Sequence, residues 1–194
     1  MRSEVNFELR LAKYRELVLR WNRRVALISR KTPIESLNRL ISHSLEGEAV
    51  LPPGTQKVMD VGSGAGFPGV LIAMKRPGTQ VELVERSENK SIFLREVKRT
   101  LGLDNATVIH ESFEPAMLDV TVRTAIAAMA VGEYGKLVES VAVRMKEGDG
   151  ILLFIAEKVA KRIVKKAGLR LGKWKKLSGS DQTGVAWLEK GDTI

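Results

Sequence analysis

Residues 60–69, which read DVGSGAGFPG, have the types and spacing that could bind a ligand. Four glycines in ten residues permit a tight turn and let a ligand approach the main chain closely. Val58 and Met59 form an apolar run before the loop, and Pro68 suits the first turn of a following helix. The sequence therefore predicts a loop between a strand and a helix, with a glycine-rich turn that binds nothing as the alternative.

The glycine spacing distinguishes between two nucleoside cofactors. A dinucleotide fingerprint, G-x-G-x-x-G, needs a third glycine at position 67 for close helix–strand packing. Position 67 is Phe, which argues against NAD. An acid followed by G-x-G-x-G resembles the loop that cradles S-adenosylmethionine in the seven-strand methyltransferases. From this resemblance we expect cofactor contacts at Asp60, Gly62, Gly64, Gly66 and the backbone of Phe67.

Two further segments carry candidate cofactor residues. Glu85 ends the apolar run 81–84, where a carboxylate can accept hydrogen bonds from both ribose hydroxyls. A dehydrogenase uses the same geometry, so Glu85 indicates a nucleoside without choosing the cofactor, and a surface glutamate is the alternative. Phe113 and Glu114 follow the next apolar run and offer a ring for an adenine edge with a nearby carboxylate. Core packing is the alternative for that pair.

The elements that must position these residues form an alternating pattern after residue 56, which predicts a parallel sheet with helices on both faces. Strands are predicted at 57–61, 80–85, 106–110, 120–125 and 150–155, with weaker ones at 169–177 and 185–189. Helices are predicted at 67–75, 88–101 and 133–145. Ligands of such sheets bind outside the carboxyl ends of the strands at the topological switch point, where the glycine loop is expected.

Two helices are predicted before the sheet. Segment 7–25 has a basic margin and one apolar stripe at helical spacing, made of Leu11, Tyr14, Leu17, Val18, Trp21 and Val25. A second helix is expected from Thr32-Pro33 to about residue 50, before the breaker triplet at 52–54. We therefore predict an N-terminal helical extension over residues 1–54 and a second domain over 55–194, within one compact unit.

Composition restricts the class of protein. A chain of 194 residues suits one domain, and 44% hydrophobic with 28% charged residues is ordinary for a soluble protein. No apolar run approaches the roughly 18 residues of a membrane span, and the N-terminus has no signal-peptide core. Zero cysteines exclude disulfides and thiolate metal sites and favour the cytoplasm, while two histidines, His43 and His110, argue against a protein-held zinc site.

The net charge of +9 is concentrated in one segment. Residues 158–176 carry nine Lys/Arg and no acid, which equals the excess of the whole chain. Such a concentration of positive charge attracts polyanions. The alternative is a solvated helix face, because Val159, Ile163, Val164 and Ala167 have helical spacing with the lysines opposite.

Several motifs together resemble the bacterial small-subunit (16S) ribosomal RNA guanine-N7 methyltransferases of the RsmG or GidB type. They are DVGSGAGFPG at 60–69, RP at 76–77, KxxFLRxV at 90–97, WN at 21–22, Arg39, Ser44 and Arg123. The resemblance implies a Rossmann-like α/β methyltransferase fold of seven strands with an N-terminal helical extension. It also implies S-adenosylmethionine as cofactor, with its ribose at Glu85 and its adenine near Phe113 and Glu114.

The resemblance further implies how the substrate is held. Arg123, at the end of the fourth strand, is the candidate catalytic residue that orients the base or contacts the cofactor carboxylate, with an exposed strand-end arginine as the alternative. RNA phosphates are expected at Lys161, Arg162, Lys165, Lys166, Arg20 and Arg24. The expected partner is ribosomal RNA or the 30S subunit, in the cytoplasm, with the protein a monomer and no membrane involved.

The implied reaction makes modest demands on the protein. The sulfonium methyl group is already activated, and guanine N7 has a free lone pair with no proton to remove. Catalysis is therefore mostly alignment of donor and nucleophile together with electrostatic accommodation. This agrees with a sequence in which we find no constellation of nucleophile, base or metal ligands.

Some positions depart from the family's pattern on the expected substrate side. They are Ala26, Ile28, His43, Ala156, Gln182 and Thr183. Because the cofactor loop is retained while these polar positions are not, two alternatives remain: a methyltransferase of the same fold with another substrate, or a catalytically silent RNA-binding module. For His43, a replacement polar contact and a packing or capping role are both open.

Overall fold

The computed structural model describes residues 2–118, 124–129 and 134–190, and a seven-stranded β-sheet is its central feature. The helices are α1 (Arg2–Trp21), α2 (Pro33–Glu48), α3 (Gly69–Lys75), α4 (Glu88–Leu101), α5 (Tyr134–Ala142) and α6 (Glu157–Ala167). The strands are β1 (Lys57–Val61), β2 (Gln80–Val84), β3 (Ala106–Ile109), β4 (Thr124–Ala128), β5 (Gly150–Ala156), β6 (Leu169–Lys176) and β7 (Thr183–Lys190). A short 3₁₀ turn covers Pro115–Met117.

The strand order is β3-β2-β1-β4-β5-β7-β6. From β1 the chain moves outward through β2 and β3, then returns to place β4 and β5 on the other side of β1. Asp60 of β1 is consequently paired with Leu83 of β2 on one side and Ala127 of β4 on the other. The topological switch point therefore lies at the carboxyl ends of β1 and β4, where the sequence predicted the ligand loop.

The last two strands correct the prediction of a wholly parallel sheet. β7 lies antiparallel between β5 and β6. Only residues 177–182 connect β6 to β7, and a parallel connection needs a crossover of roughly a dozen residues or more. The short connection therefore requires a hairpin.

Two hydrophobic clusters cover opposite faces of the sheet. Val58 of β1 belongs to a cluster with α1, α2, α3 and α4, whereas the next residue, Met59, belongs to a cluster with α5 and α6. Because successive residues of a strand point to opposite faces, four helices cover one face and two cover the other. The prediction of helices on both faces is confirmed.

The two N-terminal helices share the first of these clusters with the sheet. α1 ends at Trp21 rather than at residue 25, because the buried Asn22 turns the chain: its Oδ1 accepts hydrogen bonds from the amides of Leu27 (2.9 Å) and Ile28 (3.0 Å). Trp21 packs edge-on against Phe93 of α4 at 5.7 Å between ring centroids. The domain boundary at residue 54 stays a prediction.

Arg76 connects the C-terminus of α2 to the loop before β2. Its guanidinium donates to Oε1 of Glu48 (2.6 Å) and to the carbonyl oxygens of Glu48 (2.9 Å), Leu51 (3.0 Å) and Pro52 (3.1 Å). These carbonyls follow the end of a helix, where backbone acceptors have no intrahelical partner. A planar, five-donor guanidinium can satisfy them together, which a lysine cannot.

Other predicted boundaries agree to within a few residues. β1 and α4 have the predicted bounds, while α3 begins at Gly69 rather than at residue 67 and α5 ends at Ala142 rather than at residue 145. The fourth strand was predicted at 120–125, but the structure has β4 at Thr124–Ala128, and residues 119–123 lie outside the described ranges. No helix in the described part of the chain has the length and apolar character that a membrane crossing needs.

Candidate cofactor and substrate site

The glycine loop crosses the carboxyl end of β1 in a backbone conformation that only glycine adopts readily. Gly62, Gly64 and Gly66 have φ angles of 71°, 56° and 93°. The amides of Gly62 and Ser63 both donate to the carbonyl of Val84 at the end of β2, at 2.9 and 3.0 Å. The loop is thus fastened to the neighbouring strand before α3 begins.

The glycines of the loop perform two different tasks. A Cβ on Gly66 would lie 2.4 Å from Val70, and a Cβ on Gly69 would lie 2.4 Å from Leu83 and 2.6 Å from Asp60, so both glycines permit close internal packing. A Cβ on Gly64 would have only the carbonyl oxygen of Gly62 within 4 Å, at 3.7 Å. Gly64 therefore faces open space, on the side where a ligand can approach the main chain.

Helix α1 supports the loop from below. The buried Tyr14 donates its hydroxyl hydrogen to the carbonyl of Ala65 (2.6 Å), and its ring packs edge-on against Phe67 at 5.6 Å between centroids. The sequence identified Tyr14 only as part of an apolar stripe. A tyrosine in a buried stripe needs a partner for its hydroxyl, and that requirement was the available signal.

Glu85 lies at the end of β2, directly beside the loop. Its carboxylate is buried, with Oε2 accepting the amide of Gly64 (2.9 Å) and Oε1 accepting the amide of Ser87 (2.8 Å). Each carboxylate oxygen has two lone pairs, so capacity for one more donor remains on each. Glu85 therefore shapes the loop and still presents acceptors at its open face.

Asp60 lies beneath the loop and is fully buried. Its Oδ2 accepts the amide of Gly69 (3.1 Å), whereas Oδ1 has no hydrogen-bond partner among the described residues. Burial raises the pKa of Asp60 to about 8; the hydrogen bonds from Gly69 and Ser63 oppose this, and the nearby charge of Glu85 adds to it. Asp60 holds the start of α3 against β1, and its cofactor contact stays a prediction.

The other two described residues that were predicted to contact the cofactor, Phe113 and Glu114, are less buried than Glu85 and Asp60. The amide of Glu85 donates to the carbonyl of Ile109 (3.0 Å), so the end of β3 lies next to the end of β2. Phe113, a few residues further, is half-buried against the second hydrophobic cluster, and Glu114 is exposed. Both stay predictions. Arg123 lies outside the described residues, but the prediction that it ends the fourth strand is wrong, because β4 begins only at the next residue, Thr124, which pairs with Lys57 at the start of β1.

A separate cavity of about 420 Å³ opens on the opposite side of the loop, at the ends of β4 and β5. Residues of five segments line it, including Arg39 and His43 of α2, Met129, Tyr134, Phe154, Asp181 and Thr183. Two of the departures from the family pattern, His43 and Thr183, are therefore neighbours in space. His43 Nε2 lies 3.2 Å from the carbonyl oxygen of Ser178, which agrees with the packing interpretation of this histidine.

The remaining departures lie elsewhere. Ala26 and Gln182 are exposed, and Ile28 packs partly against the first hydrophobic cluster. Ala156 ends β5 and immediately precedes α6.

The basic segment is more compensated in space than its sequence indicates. Four of its nine cations form ion pairs with acids outside the segment: Lys161 with Glu157, Lys166 with Glu139, Arg170 with Glu189 and Lys175 with Glu46, at 2.6 to 3.5 Å. The expectation of nine uncompensated charges was therefore wrong. Within the described ranges, Arg162 and Lys165 have no such partner. Arg162 and Lys166 also line a cavity of about 460 Å³ between α5 and α6.

A second basic surface lies at the end of α1. Arg20 forms an ion pair with Glu96, whose other oxygen accepts the indole hydrogen of Trp21 (2.8 Å). Arg20, Arg23 and Arg24 line a groove of about 340 Å³ beside this pair. The sequence analysis missed Arg23 because the helix predicted over 7–25 placed it off the basic margin, whereas in the structure α1 ends at Trp21.

The fold and the loop define a Rossmann-like α/β protein of the methyltransferase class. A solved magnesium protoporphyrin IX methyltransferase from Synechocystis, with bound SAM, superposes with a TM-score of 0.58 at 16% identity, over 77% of this chain and 80% of that one. At this identity the likeness concerns the fold alone.

Residues 8–173 match the GidB family, described as rRNA small subunit methyltransferase G, and the chain belongs to that family. Proteins named Ribosomal RNA small subunit methyltransferase G are 38% identical over 122 residues in Nitrosomonas europaea and 37% identical over 145 residues in Rhodospirillum centenum. These matches cover 61% and 75% of this chain and 54% and 65% of the relatives. The matched region thus spans between half and two thirds of those relatives.

Replacing Asp60 by Asn should change how stability depends on pH. The pKa of Asp60 is about 8 in the folded protein against 3.8 in an unfolded chain, so the folded state binds an extra proton between these values. The free energy of unfolding therefore falls as pH rises through this window. Asp60→Asn removes the titration, and its stability relative to the native chain should rise by at least about 1 kcal/mol between pH 5 and pH 8.

Urea unfolding at several pH values measures this difference. Asp104→Asn, which changes an exposed aspartate, is the matched control and should follow the native chain at every pH. Parallel pH curves for Asp60→Asn and the native chain would contradict the buried, protonated carboxyl group.

Proposed function

We propose that this protein transfers a methyl group from S-adenosylmethionine to N7 of a guanine in small-subunit (16S) ribosomal RNA. Family membership supports the reaction class. The observation that carries the proposal is the open main chain at Gly64, held beside the Glu85 carboxylate at the switch point of the sheet. The cytoplasm as location, the 30S subunit as partner and a monomeric state belong to the same proposal.

The residues at the loop fit S-adenosylmethionine. A nucleoside needs close access to the backbone, which Gly64 gives, and acceptors for two ribose hydroxyls, which the free lone pairs of Glu85 give. Phe113 would cover the adenine, as the family resemblance implies. When bound, the cofactor supplies a methyl group already activated by the sulfonium.

The chain's own contribution is alignment. Guanine N7 has a lone pair and no hydrogen, so the reaction needs no general base. Glu85 and the glycine loop fix the donor, and a rigid loop reduces the freedom lost when donor and acceptor meet. Tyr14 and Asp60 contribute indirectly, because they hold the loop and the start of α3 in place.

The two basic surfaces are proposed to hold RNA phosphates. On α6 the candidates are Lys161, Arg162, Lys165 and Lys166, and at the end of α1 they are Arg20 and Arg24. Such contacts give sequence-independent affinity that falls with salt. A different substrate remains the second candidate, because His43 and Thr183, which depart from the family pattern, both line the cavity beside the loop.

Ligand binding and methyl transfer test the function directly. S-adenosylhomocysteine should raise the melting temperature, because a ligand that binds only the folded state stabilises it, and NADH should not. Tritiated methyl groups should then be incorporated into 30S subunits or free ribosomal RNA and not into transfer RNA. Incorporation only into another substrate would favour the second candidate, and cofactor binding or RNA binding without any transfer would favour a silent module.

Glu85→Ala should weaken S-adenosylhomocysteine binding by about 1 to 3 kcal/mol, because ribose hydroxyls lose their acceptor. Isothermal titration measures the change. Glu147→Ala removes an exposed glutamate before the amino end of β5, far along the chain from the loop, and is the control. Since Glu85 also binds the amides of Gly64 and Ser87, circular dichroism must show that the variant is folded. Unchanged affinity in folded Glu85→Ala would remove this residue from the site.

The cations of α6 that form ion pairs and those that do not should contribute differently to RNA binding. Replacing Arg162 and Lys165 by Gln should lower the slope of log affinity against log salt by about 1.5, since each phosphate contact contributes roughly 0.7 to 0.9. The matched pair Lys161→Gln and Lys166→Gln removes the same charge from lysines engaged with Glu157 and Glu139, and should lower it less. A slope that stays constant in both variants would place the RNA on another face.

A further inference from the structure

The cavity of about 420 Å³ lies at the same sheet edge as the glycine loop but on the side away from Glu85. Asp60 pairs with Ala127, so Met129, two residues later, reaches the level of Gly62. Ala128 pairs with Leu153, which places Phe154 level with Met129. Met129 and Phe154 both line the cavity, which therefore begins next to the loop.

The two sides of the switch point suit the two reactants of the proposed reaction, the methyl donor and the acceptor base. Glu85 and Phe113 lie at the ends of β2 and β3, so a nucleoside held there would extend its other end over β1 toward β4. That end carries the methyl group of the proposed cofactor. The cavity at β4 and β5 is thus positioned to hold the acceptor, a conclusion that rests on the proposed function.

The cavity has an apolar floor and a polar rim. Met129, Phe154 and Leu177 form the floor. Helix α2 closes one side so tightly that a Cβ on Gly47 would lie 2.4 Å from the Phe154 ring. The volume lies within the range of about 300 to 1,000 Å³ that is typical of sites for small ligands, and the lining combines apolar and polar side chains.

The turn between β6 and β7 supplies part of the rim and is held in place. The amide of Ser178 donates to Glu46 of α2 (3.2 Å), and its carbonyl lies 3.2 Å from His43 Nε2. Within the turn, the amide of Thr183 donates to Ser180 Oγ (2.9 Å). Asp181 lies between these fixed points, and it is the one acid among the described residues that line the cavity.

Guanine matches this arrangement of groups. Its N7 and O6 are acceptors on one edge, while its N1–H and N2 amino group are donors on the other side of the ring. When N7 faces the loop, the donors point away from it, toward the rim. An ionised carboxylate accepts two parallel hydrogen bonds and cannot donate. Adenine would present a lone pair at N1 and no amino group at C2.

We infer that this cavity is the pocket for the acceptor base and that Asp181 selects guanine by accepting hydrogen bonds from N1–H and the N2 amino group. The aromatic and thioether groups of the floor pack against the purine. The loop side of the pocket remains for N7, which faces the methyl donor. Asp181 thereby determines which base is presented without taking part in the transfer.

Asp181→Asn tests the inference, because the amide retains one acceptor and turns a donor toward the donors of guanine. We expect kcat/KM for ribosomal RNA to fall about 10-fold or more, since an unmatched polar contact in a specificity pocket is costly. The affinity for S-adenosylhomocysteine should stay within about 2-fold of the native value, as the cofactor side is unchanged. Asp104→Asn makes the same charge change on an exposed turn and should leave both quantities unaltered.

A competition assay separates base selection from a general structural effect. Ribosomal RNA transcribed with a minor fraction of inosine, which lacks the N2 amino group, is methylated, and mass spectrometry gives the ratio of 7-methylguanine to 7-methylhypoxanthine at the modified position. The native protein should favour guanine about 10-fold or more after correction for composition, and Asp181→Asn should bring the ratio close to one.

The outcomes distinguish the two proposals. Native kcat/KM and native discrimination in Asp181→Asn would overturn the assignment of Asp181 while leaving the methyltransferase function intact. A native protein that binds S-adenosylhomocysteine but methylates no guanine in ribosomal RNA would overturn the proposed function and this inference with it.

Discussion

The structure depends on one constraint: the chain must turn at the end of β1 while leaving the outer surface of the turn free of side chains. Packing contacts on the inner surface of the turn stabilise it. Gly66 and Gly69 let Val70, Leu83 and Asp60 approach the backbone closely, and Tyr14 fixes Ala65 from α1. Because the packing is all on the inside, Gly64 can remain open. Side chains on the outer surface of the loop would have blocked access to its main chain.

The need to support the loop from its inner side also explains why Asp60 is buried and why helix α1 packs against the loop. Asp60 loses hydration beneath the loop, and burial without a full set of partners raises its pKa. The hydrogen bond that its Oδ2 accepts from the amide of Gly69 ties α3 to β1. Tyr14 of α1 donates a hydroxyl hydrogen bond to the loop backbone at Ala65. The N-terminal helices are therefore part of the site's support, whatever else they bind.

The sequence predicted correctly the bounds of those elements that depend mainly on neighbouring residues. β1 and α4 have their predicted bounds because an apolar run and an amphipathic period end at glycine or charged residues nearby. The antiparallel β7 could not be obtained in this way, since strand direction depends on connection length and pairing. The ion pairs of the basic segment were missed for a similar reason: Glu139, Glu189 and Glu46 come from distant parts of the chain. The motif located the glycine loop, while the cavity lined by five separated segments has no motif.

The structure restricts substitutions differently on the two sides of the switch point. On the β2 side the loop is held through backbone geometry and one carboxylate, Glu85, so few substitutions preserve its conformation. On the β4 side much of the cavity's rim comes from side chains of α2 and the β6–β7 turn, whose framework is set by Gly47, Glu46 and Ser178. Rim residues such as His43 and Thr183 can change while that framework persists. Departures from the family pattern can therefore collect on the β4 side without disturbing the loop, and under the proposed function the choice of base would be a property of the rim.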